Sequence, residues 1–124
     1  DGASIKYNSK SEKVKAIRLS NYLNNFNKID MLKIDIEGAE TDVILDCKNS
    51  LNNVSNLFIE FHSHKSESQK LSEILSVLEV NNFRYFIKEG LKKRSPFIHS
   101  NKSISGIDLM INIYATKMDP NEIN

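Results

Sequence analysis

The chain has 124 residues, and its 17 lysines and arginines against 16 aspartates and glutamates leave a net charge of +1. This length fits one modest domain rather than two. Nucleic-acid binders usually carry a clear basic excess, so the balance argues against a nucleic-acid partner. The single cysteine, Cys47, excludes an internal disulfide and favours a reducing compartment such as the cytoplasm. No apolar run approaches the roughly 20 residues that span a bilayer.

Residues 1–27 are predicted to form a lead-in to the core. Short strands are expected at 5–7 and 14–18, joined by a polar hairpin or loop. Ser20 stands where a helix N-cap belongs, ahead of a short helix at 21–25. The opening Asp-Gly-Ala-Ser reads as a turn within a protein rather than as its start, so we expect the chain to be a piece of a longer one.

Residues 28–115 are predicted to alternate strands with helices. Apolar alternation or short apolar runs indicate strands, and apolar recurrence at helical spacing indicates helices. A capping box formed by Ser66 and Gln69 is expected to begin the second helix. In chain order the elements are a strand at 31–36, a helix at 39–46, a strand at 57–61, a helix at 71–78 and strands at 83–88 and 107–115. Residues 116–124 read as a frayed tail.

This order of elements is typical of βαβ units and therefore of an α/β fold with a mostly parallel sheet. The last strand follows the previous one without an intervening helix, so we expect it to pair antiparallel. The predicted sheet is thus mostly parallel with one antiparallel strand.

Charged side chains stand at the ends of two predicted strands. Asp35 and Glu37 end the first, and Glu60 and His62 end the second. Ligands bind beyond the carboxyl ends of strands in open parallel sheets, so these four groups are candidates for a site. Burying them together is costly without a partner, which could be a charged ligand, a metal ion or another part of the protein. From spacing alone, polar residues at strands that leave the core are an equally good explanation.

Two segments give these strand ends a more specific interpretation. Residues 29–40, IDMLKIDIEGAE, resemble the most recognisable segment of FkbM-type methyltransferases, a strand ending in D-[IV]-E-G-A-E. Residues 57–62, LFIEFH, resemble the next strand of that family, which ends in E-x-H or a close variant. The resemblance extends from about Gly2 to about Gly90 and fits the remainder in outline only.

The resemblance implies a partial Rossmann-like class I methyltransferase sheet that holds strands four to seven in the order 4-5-7-6 and lacks the first strands. It also implies S-adenosyl-L-methionine as cofactor and, as acceptor, a hydroxyl on a sugar, polysaccharide or secondary metabolite. The family's glycine-rich cofactor turn is missing, because none of the four glycines is spaced as G-x-G. We therefore expect the chain alone to be inactive, and the exposed edge at 31–36 to promote self-association.

Site roles follow from the resemblance and from side-chain chemistry. His62 is expected to act as general base toward the acceptor hydroxyl, because imidazole titrates near neutrality. Asp35 and Glu37 are assigned to the methionine end of the cofactor and to the acceptor hydroxyl, in either arrangement. Glu60 is expected to orient His62 or to hold an acceptor hydroxyl, so the catalytic set is His62, Asp35 and Glu60. No metal ligand is assigned, and Lys33 reads as the partner of Asp35.

The other basic residues are given simpler interpretations. His64 is expected to be a solvated loop residue. His99 lies in a basic loop with Lys92, Lys93 and Arg94, which is a candidate contact for a phosphate or an acidic sugar, although a solvated loop is the simpler reading.

Two rival classes remain open. Asp35 followed by Glu60-x-His62 is loosely similar to the D…E-x-K arrangement of metal-dependent nucleases, with His in place of Lys. The near-neutral charge argues against a DNA track. A non-catalytic recognition or assembly module, with carboxylates that contact sugar hydroxyls, is the other alternative.

Overall fold

The computed structural model describes residues 11–98 and 106–122, and its strands form one mixed sheet. The strands are β1 (Ile29–Ile34), β2 (Val54–His64), β3 (Phe83–Glu89) and β4 (Ile107–Lys117). Their spatial order is β1-β2-β4-β3. The first two pair parallel, and β4 pairs antiparallel with both β2 and β3. The predicted α/β class is confirmed, and β4 is the one strand of these four that runs antiparallel to the others, as expected. Because β4 lies between β2 and β3, two of the three pairings are antiparallel.

Within residues 11–98 and 106–122, three helices accompany the sheet: α1 (Leu19–Leu23), α2 (Glu40–Asp46) and α3 (Leu71–Val80). A 3₁₀ turn spans Pro120–Glu122. The second and third connect successive strands, as expected of βαβ units, and they pack against each other. Of the helices in the described ranges, none has the length and apolar character needed to cross a bilayer.

The hydrophobic core lies between α2, α3 and one face of the sheet. In β2 the residues Leu57, Ile59 and Phe61 alternate on this face, and in the antiparallel register they lie opposite Ala115, Ile113 and Ile111 of β4. Ile44 of α2 and Ile74 and Leu78 of α3 close over them and are fully buried, as their helical spacing predicts. Burying each such side chain stabilises the fold by roughly 1.5–3 kcal/mol.

Cys47 follows α2 and is fully buried in this core. Burial, with the charge of Asp46 adding to it, raises the pKa of the thiol to about 11. A thiol in such surroundings is unreactive, so Cys47 serves as a small packing residue.

The lead-in differs from the prediction. Residues 14–18 form no strand, because Val14 is 84% exposed and finds no apolar face or neighbouring strand within the described ranges. The strand predicted at 5–7 lies outside the described residues. Ser20 is not an N-cap but lies inside α1, where its hydroxyl donates to Asp46 Oδ2 at 2.6 Å. Arg18 occupies the N-cap position and pairs with the same carboxylate.

The predicted ends of two further elements were wrong. The capping box of Ser66 and Gln69 does not form, because α3 begins only after Lys70, whose left-handed backbone (φ 54°) separates that turn from the helix. Residues Thr116 and Lys117 continue β4 instead of fraying. The Thr116 hydroxyl donates to Asn56 at 3.1 Å, and the Lys117 ammonium donates to the Leu51 carbonyl at 2.7 Å.

Candidate active site

A sharp turn between β1 and α2 shapes the site. The strand ends at Ile34, and the backbone then passes through positive φ at Glu37 (57°) and Gly38 (112°). A Cβ at Gly38 would come within 3.3 Å of the His64 ring, so glycine suits both the conformation and the space. For Glu37 this conformation costs roughly 1 kcal/mol or more, so the surrounding contacts must hold the turn in place.

Glu40, the first residue of α2, provides those contacts. Its side chain is fully buried, and Oε1 accepts hydrogen bonds from the backbone N–H groups of Gly38 at 3.0 Å and Ile36 at 3.2 Å. The other oxygen accepts from the backbone N–H of His62 at 3.4 Å. Burial alone would raise the pKa of Glu40, but the hydrogen bonds from Gly38 and His62 outweigh it and hold the pKa below its usual value of 4.5. Glu40 is therefore an ionised carboxylate that joins the turn to β2.

The His62 ring lies against this carboxylate. Its side chain is only 3% exposed, and Nδ1 lies 3.1 Å from Glu40 Oε1. An ionised carboxylate can only accept, so Nδ1 carries a hydrogen and donates it. In the neutral ring this leaves Nε2 with a free lone pair. Glu40 thus fixes both the orientation of the imidazole and the nitrogen that remains available for chemistry.

The predicted site residues converge at the carboxyl ends of β1 and β2. The available ligand atoms of Asp35, Glu37 and His62 all lie within 4.8 Å of one another. Nε2 is 3.7 Å from Glu37 Oε2 and 3.6 Å from Glu60 Oε2, which is too long for a hydrogen bond in either case. The side chains of Asp35 and Glu37 are 32% and 78% exposed, so a ligand can reach them from solvent.

The carboxyl groups of Glu60 and Asp35 interact within this group. A hydrogen bond with Asp35 raises the pKa of Glu60, burial and the charge of Asp35 raise it further, and His62 opposes the effect. Two carboxylates in such proximity cannot both ionise freely. Lys33 approaches Asp35 at 3.8 Å, the position expected of its partner, and its ammonium also lies 5.7 Å from the centre of the Phe58 ring.

His64 lies near this group, with its ring beside Gly38. His64 is the last residue of β2 and is half-buried, so the expectation of a solvated loop residue was wrong because the strand is longer than its apolar run. His99 lies outside the described residues. Lys92, Lys93 and Arg94 follow β3 in a segment without helix or strand, as expected of a loop.

Glu40 was not among the site residues predicted from the sequence. The final E of the E-G-A-E segment is the signal for this residue. The sequence predicts only the start of a helix at that position, and Glu60 was expected to orient His62 or to hold an acceptor hydroxyl. Spacing along the chain does not reveal that the first turn of α2 sits against the end of β2. Only the packing of the helix on the sheet brings the two residues together.

These features place the chain in the class of α/β domains whose active sites are built at the carboxyl ends of neighbouring strands. A buried carboxylate–imidazole pair with a free nitrogen facing exposed carboxylates is suited to proton transfer or to metal binding. The chain belongs to the methyltransferase FkbM domain family, whose model matches residues 2–85. This match confirms the resemblance seen in the sequence, and membership of the family indicates methyltransferase activity. No curated protein and no solved structure matches the chain.

Proposed function

We propose that the chain is the later part of an S-adenosyl-L-methionine-dependent O-methyltransferase acting in the cytoplasm on a hydroxyl of a sugar, polysaccharide or secondary metabolite. The observation that carries the proposal is the Nε2 atom of His62, which Glu40 leaves free to face a solvent-accessible group of carboxylates. In this proposal β1, β2, β4 and β3 are strands 4, 5, 7 and 6 of a Rossmann-like sheet.

The residues present fit one end of the cofactor. The methionine end of S-adenosyl-L-methionine carries an ammonium and a sulfonium, and the exposed carboxylates of Asp35 and Glu37 offer complementary charge. The adenosine end needs the glycine-rich turn that the family resemblance implies, and no two glycines of this chain are spaced as G-x-G. The chain would therefore hold the methionine end, while other parts of the complete protein hold the rest.

In this proposal, Nε2 of His62 takes the proton of an acceptor hydroxyl. When bound, the cofactor would supply an electrophilic methyl group to the acceptor oxygen, with its sulfur as the leaving group. The hydroxyl proton passes to Nε2 of His62, and the ionised Glu40 stabilises the imidazolium that results. Asp35 and Glu37, as charges beside a cation that is neutralised during transfer, favour binding over rate.

The open edge of the sheet supports the view that further strands complete the domain. In β1 the side chain of Met31 is 57% exposed, and this strand has no second neighbour among the described residues. An apolar groove of about 310 Å³ lies beside it, lined by Leu19, Leu23 and Leu32 among others. We propose that the missing strands of the sheet pair here, and that the isolated chain self-associates through the same edge.

Formation of S-adenosylhomocysteine by the complete protein tests the proposal. We expect product to appear with S-adenosyl-L-methionine and a hydroxyl-bearing acceptor from a panel of sugars, oligosaccharides and polyhydroxylated metabolites, and this chain alone to give none. Binding of the cofactor to the complete protein is measured separately by calorimetry, so that an unsuitable panel is distinguished from a wrong reaction. A complete protein that does not bind the cofactor, or that cleaves DNA in the presence of Mg²⁺, would contradict the proposal.

A further inference from the structure

The group around His62 contains acceptors that face one another without a donor between them. The hydrogen on Nδ1 is given to Glu40, so the lone pair of Nε2 points toward the carboxylates of Glu37 and Glu60 at 3.7 and 3.6 Å. A lone pair directed at two anionic groups is electrostatically unfavourable. The ring is 3% exposed, and within the described residues Nε2 makes no hydrogen bond that would compensate. A ring nitrogen that has a free lone pair and faces carboxylates is suited to bind a cation.

Positive charge is scarce around these groups. Among the described residues, His62 is the only ion-pair partner of Glu37 and of Glu60. Lys33 is the only one of Asp35, at 3.8 Å. The fully buried Glu40 adds a further negative charge behind the ring. A cation beside Nε2 of His62 would be attracted by all four of these carboxylates.

A neighbouring side chain also has an unused acceptor. Asn112 of β4 lies opposite Glu60 in the antiparallel register, so the two side chains share the face of the sheet on which His62 lies. Its Oδ1 is buried and has no hydrogen-bond partner among the described residues. The water molecules around a bound metal ion donate hydrogen bonds outward and would satisfy such an atom.

The ligand atoms are close enough to bind a common ion. Metal–nitrogen and metal–oxygen bonds of about 2.1 Å place neighbouring ligand atoms within roughly 4 Å of one another. The ligand atoms of Asp35, Glu37 and His62 span no more than 4.8 Å, and Glu37, at 78% exposure, is free to make the small adjustment. Metal-binding histidines commonly donate their other ring N–H to a carboxylate, as Nδ1 of His62 does to Glu40.

We propose that Asp35, Glu37 and His62 bind one divalent transition-metal ion, with Glu40 as the positioning residue behind the imidazole. Two carboxylates and one imidazole favour Mn²⁺, Fe²⁺, Co²⁺ or Zn²⁺ over Mg²⁺ and Ca²⁺, which prefer oxygen ligands alone. Three protein ligands leave coordination positions for water or for a hydroxyl of the acceptor. This site goes beyond the proposed function and does not depend on it.

The ion and a proton compete for the same nitrogen. With the ion bound, Nε2 is a ligand and cannot act as a base, and the ion itself would make a coordinated hydroxyl more acidic. The general base of the proposed function therefore describes the ion-free site, and removal of metal from the complete protein by a chelator distinguishes the two states.

Calorimetric titration of this chain with MnCl₂, repeated with CoCl₂ and ZnCl₂, tests the site without any assay of activity. We expect a single ion to bind, and Glu37→Gln and Asp35→Asn each to weaken binding at least about tenfold. Asp30→Asn is the matched control, because Asp30 lies on β1 with a side chain that is 86% exposed, and it should bind like the unmodified chain. Since Glu37 is on the surface, its variant should fold normally, which circular dichroism verifies. Absence of binding for all three ions, or equal binding by Asp35→Asn and Asp30→Asn, would overturn the proposal.

Discussion

Replacement of Glu40 by leucine should lower the free energy of unfolding of the chain by about 3 to 5 kcal/mol, the range found when one partner of a buried charged pair is removed. The carboxylate accepts hydrogen bonds from the backbone N–H groups of Ile36, Gly38 and His62 and from the His62 ring. Leucine fills a similar volume but accepts none of them, and each buried donor left unpaired costs roughly 1–3 kcal/mol. Urea denaturation followed by circular dichroism measures the change.

Asp42 offers a matched control for this substitution. It lies in the first turn of the same helix but is exposed, so Asp42→Leu should change the free energy of unfolding by no more than about 0.5 kcal/mol. Glu40→Gln keeps one acceptor oxygen, so its loss in free energy of unfolding should lie between those of Glu40→Leu and Asp42→Leu. If Glu40→Leu unfolded at the same urea concentration as the unmodified chain, the carboxylate would not be what holds the turn against β2.

The second large effect concerns turnover. Replacement of His62 by alanine in the complete protein should reduce kcat at least about tenfold, which corresponds to about 1.4 kcal/mol of barrier. Loss of a general base typically lowers the rate by roughly 10² to 10⁴. The reduction is expected because Nε2 of His62 faces the carboxylates at the carboxyl ends of β1 and β2. Asp35→Asn should also lower turnover at least about tenfold.

His64→Ala is the control for the histidine substitution. His64 lies two residues further along β2, at the end of the strand, and neither the proton transfer nor the metal site uses it. Its variant should retain a kcat close to that of the unmodified enzyme. Normal rates for both His62→Ala and Asp35→Asn with the true acceptor would show that the residues of the site have been assigned wrongly.

The convergence of the site residues could be predicted from the sequence because it depends on topology alone. Neighbouring parallel strands bring their carboxyl ends to the same edge, so residues that follow Ile34 and Ile59 must lie near one another once β1 and β2 pair. The apolar alternation of both strands was visible in the sequence. Asp35 and His62 are therefore found together even though 26 residues lie between them in the chain.

Most of the features that were missed depend on contacts between distant elements. Glu40 reaches His62 only because α2 packs its first turn against the end of β2. The strand predicted at 14–18 has the right residue types, but it has no neighbouring strand among the residues that the structure describes. Conversely, β2 runs from Val54 to His64, well past its apolar run, because β4 pairs with it along nearly its full length. Local propensity cannot anticipate such tertiary effects.

The position of the hydrogen on the neutral His62 ring tests the arrangement of the site most directly. Nitrogen-15 NMR of the labelled, metal-free chain identifies which ring nitrogen is protonated. The structure predicts that Nδ1 carries the hydrogen and donates it to Glu40, while Nε2 has a free lone pair. A neutral ring with its hydrogen on Nε2 would contradict this, because Nδ1 could then donate nothing to Glu40 and Nε2 could neither accept a proton nor bind an ion.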